Sequence, residues 1–279
     1  MSGLDRKAVE NIESPLAVQV DFHEEIGSTQ ERARELARGT PGAPHGTIVI
    51  SKVQKGGRGR LGRRWGSPPG GLWFSLVLRP EMPAHLASRI TQAAAVGVAK
   101  ALWGFGVEAR IKWPNDLLVV RPGDLSGRKI CGILAEAGVG NVPAKHPGLG
   151  VDHRRLDFVL LGIGLNANLD PEDLDVLDRQ VTTLRSELGR DVVLTELLEA
   201  VLSKLNAELE RIEDFCAVLD DWRALNCTLG RLVRVERFGE VLEGRAADLT
   251  PEGALLLETP EGTVEVFEGE VKHLRQERT

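Results

Sequence analysis

Apolar positions along this chain recur with two periods, and the switches between them outline its elements. Ala17–Phe22 alternates apolar and polar, the pattern of a half-buried strand. Thr47–Val53, Leu72–Leu78 and Phe158–Leu165 are short runs of β-branched and aliphatic residues that predict buried strands. Glu108–Lys112 and Leu117–Val120 predict strands on either side of a Trp-Pro-Asn-Asp turn, with Lys129–Ala135 as the return leg of a hairpin. Helical spacing covers Ala84–Trp103, Thr183–Leu188, Leu194–Arg211 and Phe215–Leu225. Ser28-Thr29-Gln30-Glu31 has the form of a capping box, with Ser28 as N-cap of a helix ending near Arg38.

The texture changes after Asn226. Leu232–Glu236, Leu242–Leu249, Ala254–Glu258 and Thr263–Phe267 are short strands punctuated by Phe238-Gly239, Pro251-Glu252-Gly253 and Pro260-Glu261-Gly262. Short strands at regular spacing predict a small β-barrel. The expected organisation is a loose lead-in over 1–16, an α+β domain over 17–225 built on a mixed sheet with helices, and a terminal barrel over 226–279. Gly138–Arg155 is a Gly/Pro/His insertion expected to be a loop.

Charge narrows the function. The 279 residues carry a net charge of −6, against a general nucleic-acid coat. The three cysteines, Cys131, Cys216 and Cys227, are odd in number and lack CxxC spacing. Neither a disulfide framework nor a structural zinc site is expected, and a reducing, cytoplasmic setting fits. The N-terminus lacks the apolar run of a secretory signal, and no apolar stretch approaches the ~20 residues of a membrane span.

Within this acidic chain, Lys52, Lys55, Arg58, Arg60, Arg63 and Arg64 place six cations in 13 residues, interleaved with Gly56, Gly57, Gly59 and Gly62. Such a segment gains most when an anion enters it, because glycine backbones approach closely and arginine offers paired donors. Charge alone fits a solvated basic loop equally well. Gly57-x-Gly59-x-x-Gly62 imitates a dinucleotide fingerprint, but Arg63-Arg64-Trp65-Gly66-Ser67-Pro68 cannot open the required helix. Gly162-x-Gly164-x-x-Ala167 fails in the same way at Asp170-Pro171.

In Lys112-Trp113-Pro114-Asn115-Asp116, Pro114 stiffens a turn that offers an amide and a carboxylate to a ligand or Mg²⁺; ordinary turn formation explains the same residues. Lys129 opens an apolar strand in which Gly132 suggests close approach by a ligand, while Glu136 at its end reads as structural. Asn166 stands at a strand end, Thr29 offers a hydroxyl beside the helix cap, and Cys131 reads as a small buried residue.

Taken in order, Glu25-Ile26-Gly27-Ser28-Thr29, Gly57-Arg58-Gly59-Arg60-Leu61-Gly62-Arg63-Arg64-Trp65, Lys112-Trp113-Pro114-Asn115-Asp116-Leu117, Lys129-Ile130-Cys131-Gly132-Ile133-Leu134 and Gly162-Ile163-Gly164-Leu165-Asn166 resemble the biotin protein ligases. Gly269-Glu270-Val271 resembles part of that family's SH3-like C-terminal barrel. The resemblance implies a class II synthetase-like catalytic domain that makes biotinyl-5′-AMP from biotin and Mg·ATP. It then passes biotin to a lysine of the biotin carboxyl carrier domain of a carboxylase such as acetyl-CoA carboxylase.

By the same resemblance Arg60 and Lys129 are the catalytic cations. Ser28, Thr29, Gln54, Gly57, Arg58, Trp73, Lys129 and Gly132 hold biotin, with Trp73 walling its apolar tail. Arg58, Arg60, Trp65, Lys112, Asn115, Asp116, Lys129 and Asn166 face ATP, and Asp116 faces the metal. The departures are Lys55-Gly56 before the loop and Gly27, where the family commonly has an acidic residue. Family members often form homodimers. The short stretch before the first strand leaves no room for a helix-turn-helix, so no DNA role is expected. The main alternative is a lipoate or octanoate ligase. A nucleic-acid module and a non-catalytic biotin binder fit less well; the latter leaves Arg60, Lys129 and Asp116 without chemistry.

Overall fold

A computed structural model describes residues 3–121, 124, 127–139, 155–174, 180–237 and 239–274. Most of the 138–155 insertion and Phe238 of the first barrel turn lie outside the described residues. Seven strands form one sheet: β1 (Gln19–Ile26), β2 (Thr47–Gln54), β3 (Leu72–Leu78), β4 (Ala109–Lys112), β5 (Asp116–Val119), β6 (Arg128–Val139) and β7 (Leu156–Leu165), in the order β1-β2-β3-β7-β6-β5-β4. β1 and β2 run parallel and every other pair antiparallel, so the sheet is mixed as expected.

Strand alternation sends side chains to two different faces. Ile48, Ile50, Phe74, Leu76, Leu161 and Ile163 join the main core with helices α3 (Ser88–Gly104), α5 (Leu194–Glu210) and α6 (Phe215–Leu225). Burying one such side chain contributes about 1.5–3 kcal/mol. Helix α2 (Thr29–Arg38) covers part of the opposite face, where Ala33 and Ala37 meet Val49, Val77, Phe158 and Leu160. Ser28 caps α2 by accepting from the Glu31 backbone N–H at 3.4 Å, while the Glu31 carboxylate turns to Arg58. The short helix α4 (Leu184–Leu188) starts from a Thr183 cap.

The lead-in is not loose. Helix α1 (Arg6–Glu10) is capped by Asp5, and Leu4, Val9, Ile12 and Leu16 are buried in the main core. With only four apolar anchors and a five-residue helix, it carries too short a pattern to predict.

The C-terminal unit is an antiparallel sheet of β8 (Leu232–Arg237), β9 (Glu240–Leu249), β10 (Leu255–Thr259), β11 (Gly262–Val266) and β12 (Glu270–His273), ordered β11-β10-β9-β8-β12. β12 escapes sequence reading because Val271 is its one apolar residue. Val233, Val235, Leu257 and Val271 belong to the same buried cluster as the main sheet. Polar ties reinforce the join: Trp113 N–H donates to the Thr228 hydroxyl at 3.1 Å, and Arg223 makes paired bonds to Asp248 at 2.8 and 2.9 Å. No described helix is long and apolar enough to cross a membrane.

Candidate active site

Even-numbered positions of β7 face α2 as Phe158 and Leu160, then lose their side chains at Gly162 and Gly164. Gly132 of β6 pairs with Gly164 across the ladder. The result is a bare floor under a cavity of about 400 Å³, within the usual range for small-molecule sites. Trp65 lies on that floor. A Cβ at Gly132 would stand 2.8 Å from its ring and one at Gly164 2.4 Å from its indole nitrogen. The Lys129 ammonium sits 4.9 Å from the Trp65 ring centroid, a cation–π distance.

One end of the cavity is neutral. Thr29 donates its backbone N–H and its hydroxyl toward Gln54 Oε1, at 2.8 and 3.0 Å. Its hydroxyl is also 2.9 Å from that of Ser75, so it is not free as the sequence suggested. Gln54 Nε2 donates to the Ser67 hydroxyl at 2.9 Å. Ser28, Gln30 and Ser75 complete this end, all buried.

The other end is cationic. Lys129 pairs with Asp116 at 2.6 Å, and Arg60 donates to Asn115 Oδ1 at 3.1 Å. Asn115 in turn donates to the Ile133 carbonyl at 2.7 Å, which fixes the Trp-Pro-Asn-Asp turn against β6. Burial pushes the Arg60 guanidinium below its ordinary pKa, against the pull of Asp116 and Glu268. Burial likewise lowers Lys112, opposed by Asp116. Among the described residues no trio of His, Cys, Asp or Glu could enclose a metal ion.

The glycine-rich loop forms the roof. Gly59 N–H donates to the Arg63 carbonyl and Trp65 N–H to that of Gly57, so the loop closes on itself around a turn at Arg60–Gly62. Arg58 pairs with Glu31 of α2. Arg63 pairs with Glu270 of β12, and Arg60 reaches the Gly269 carbonyl at 3.4 Å. Gly269, Glu270 and Val271 thereby line the cavity, so the C-terminal unit contributes one of its walls.

Of the residues singled out from sequence, Ser28, Thr29, Gln54, Arg58, Arg60, Trp65, Lys112, Asn115, Asp116, Lys129 and Gly132 line this single cavity. Three do not. Trp73 is fully buried behind the floor, edge-on to Trp65 at 6.4 Å, with its indole bonded to the Pro68 carbonyl; of the two, Trp65 lines the cavity. Gly57 serves the loop itself, since a Cβ there would stand 2.4 Å from the Trp65 carbonyl. Asn166 is buried and donates to the Thr182 carbonyl at 3.1 Å, pinning the segment before α4. That segment brings Gln180 to the cavity.

Gln30, Ser75, Gln180 and Glu270 were missed. A lone serine in the otherwise apolar run Leu72–Leu78 was a local signal for Ser75, and Glu270 stood in a motif read only as part of the barrel. Cys131, fully buried beneath the floor, has its thiol pKa pushed well up by burial, in keeping with a packing role.

A bare-floored cavity with a neutral end, a cationic end and a basic roof defines a site for an acid activated by a phosphate-bearing cosubstrate. Comparison with known proteins agrees in detail. Residues 24–152 match the biotin/lipoate A/B protein ligase family and residues 228–274 the biotin protein ligase C-terminal domain. The chain is 31% identical over 256 residues to the bifunctional ligase/repressor BirA of Bacillus subtilis, covering 90% of this chain and 73% of that one. It is 31% identical over 270 residues to the biotin–[acetyl-CoA-carboxylase] ligase of Mycobacterium tuberculosis, covering 92% and 90%. The structure of the Aquifex aeolicus biotin protein ligase with biotin and ATP superposes with a TM-score of 0.71 at 26% identity, over 93% of this chain and all of that one. The chain belongs to the biotin protein ligase family.

Proposed function

We propose that this protein condenses biotin with ATP to biotinyl-5′-AMP and pyrophosphate, then transfers biotin to a lysine of a biotin carboxyl carrier domain. The observation that carries this reading is the division of one cavity into neutral and cationic ends across a glycine floor. Biotin's ureido ring fits the neutral end. Ser28 retains an O–H to donate to a carbonyl, and Thr29 beside it can accept from an N–H. The apolar tail passes along Trp65, whose ring lies on Gly132 and Gly164, and delivers its carboxylate to Arg60 and Lys129.

There the carboxylate oxygen attacks the α-phosphorus and the bond to pyrophosphate breaks. Both cations stabilise the charge that gathers on the phosphoryl oxygens. Arg58 and Lys112 extend the positive field to the remaining phosphates. Asp116, paired with Lys129 on one oxygen, is the carboxylate that would hold Mg²⁺, while Asn115 has both amide atoms engaged already. The metal neutralises phosphate charge when bound. In the second half-reaction the acceptor amine attacks the acyl carbon and AMP leaves.

The roof then keeps water from the mixed anhydride. The setting we infer is the cytoplasm, with the carrier domain as partner. Incubation with biotin, Mg·ATP and a carrier domain tests the reading: the carrier's mass rises by one biotinyl group. Pyrophosphate exchange driven by lipoate and not by biotin would overturn it.

A further inference from the structure

Behind the neutral end runs a chain of hydrogen bonds whose direction can be counted proton by proton. At its outer end Arg34 of α2 pairs with Glu136 of β6 at 2.7 Å. Gln30 Nε2 donates to the same Glu136 oxygen at 2.8 Å and to the Leu160 carbonyl at 3.2 Å. Both partners are pure acceptors, so the amide cannot be turned the other way. Its Oε1 must therefore accept, and the neighbour at 2.9 Å is the Ser75 hydroxyl. Ser75 has one proton and spends it there. At the 2.9 Å contact between Ser75 and Thr29, Thr29 must then be the donor.

The alternative acceptor for Thr29, Gln54 Oε1, is held in place by the Thr29 backbone N–H. Either way the single Thr29 proton is committed inside the protein. A ligand atom reaching this hydroxyl meets lone pairs only. Gly162 belongs to the device, since a Cβ there would stand 2.6 Å from Gln30 Oε1 and push the amide off its place.

We propose that Gln30 and Ser75 are specificity-determining positioning residues: anchored on the Arg34–Glu136 pair, they lock the Thr29 hydroxyl as an acceptor, so the cavity admits a ligand N–H at that point and rejects a ligand oxygen. This rests on reading the cavity as a biotin site. It assigns to Gln30 and Ser75, which line the same end, the discrimination that Thr29 displays. The reason is energetic, since two acceptors facing each other in a buried site leave both unsatisfied.

The test compares biotin with its two cyclic carbamate analogues, in each of which one ureido N–H is a ring oxygen. The wild type should reject the analogue whose oxygen faces Thr29 by at least about a hundredfold in kcat/KM, as expected where a buried polar group loses its partner. In Gln30→Leu, Ser75 recovers its proton and can donate to Thr29, which leaves Gln54 Oε1 as the remaining internal acceptor in competition with the ligand for the Thr29 proton. Discrimination should narrow about tenfold, with the loss toward biotin falling on KM rather than kcat. Ser75→Ala should narrow it in the same direction. The ratio is taken within one enzyme preparation, so partial unfolding does not move it. Wild-type discrimination in both variants, or a fall in kcat alone, would overturn the proposal. Failure of the wild type to adenylate biotin would instead remove the functional reading on which it stands.

Discussion

The two ends of the cavity are built on opposite principles. At the neutral end nearly every polar atom is spoken for within the protein: Gln30, Thr29, Ser75, Gln54 and Ser67 form one bonded chain in which direction is fixed. At the cationic end charges are left partly uncompensated. Burial depresses the Arg60 and Lys112 pKa values, and carboxylates only partly offset it. The first end recognises by geometry and tolerates little change. The second holds electrostatic strain that an incoming polyphosphate relieves. Recognition and chemistry are thus separated by the length of the glycine floor, and each end can be broken without dismantling the other.

Lys129→Ala should produce the largest asymmetry. On the proposed reading it removes one of the two cations at the reacting carboxylate, so adenylate formation in pyrophosphate exchange should fall about 10²–10³-fold, as for loss of one preorganised donor. Biotin binding by calorimetry should weaken far less; equal losses would place Lys129 in binding alone. Gly164→Val attacks the floor between the ends. The new side chain meets the Trp65 indole, so biotin affinity should fall about 5–150-fold, the range of overpacking penalties of 1–3 kcal/mol.

Glu270→Gln loosens only the roof. The Arg63–Glu270 pair is partly exposed, so its loss should raise KM for ATP by no more than about fivefold, the upper end for such pairs. Trypsin should also cut sooner at Arg60, Arg63 and Arg64. Unchanged cleavage would separate the roof from β12. Lys112→Met sharpens the contrast most gently. Replacing a half-buried ammonium that Asp116 only partly compensates should raise Tm by about 2–4 °C while weakening ATP binding.

The sign with pH follows from the direction of the Lys112 shift. Its folded pKa lies below the unfolded value, so the unfolded chain binds more protons in that interval. The penalty is full below the folded pKa and fades as pH rises through the window up to 10.5. The Tm advantage of Lys112→Met should shrink over the same window.

Much of this was legible in the chain. β3 and α6 span the predicted residues, because long apolar runs and a strong helical period leave one solution. The cationic end was legible too, since charges clustered in glycine-rich sequence are unusual in an acidic protein. The neutral end was half legible. Ser28, Thr29 and Gln54 came from family motifs, whereas Gln30 and Ser75 did not, because ordinary polar residues acquire their role only when α2 is laid across β3 and β7. Trp73 shows the complementary failure. Period two puts it on the same side of β3 as Ser75, and only the placement of Trp65 above it shows that it never meets the cavity. Glu270 stood in a recognisable motif, but its partner lies 207 residues away, beyond any local pattern.

That separation sets an order of events during synthesis. The floor, both ends of the cavity and the unclosed loop have all left the ribosome before residue 270 is made. The roof of a nascent chain therefore lacks the β12 clasp while the residues of both ends are already present. The later addition of β12 gives the loop its anchor.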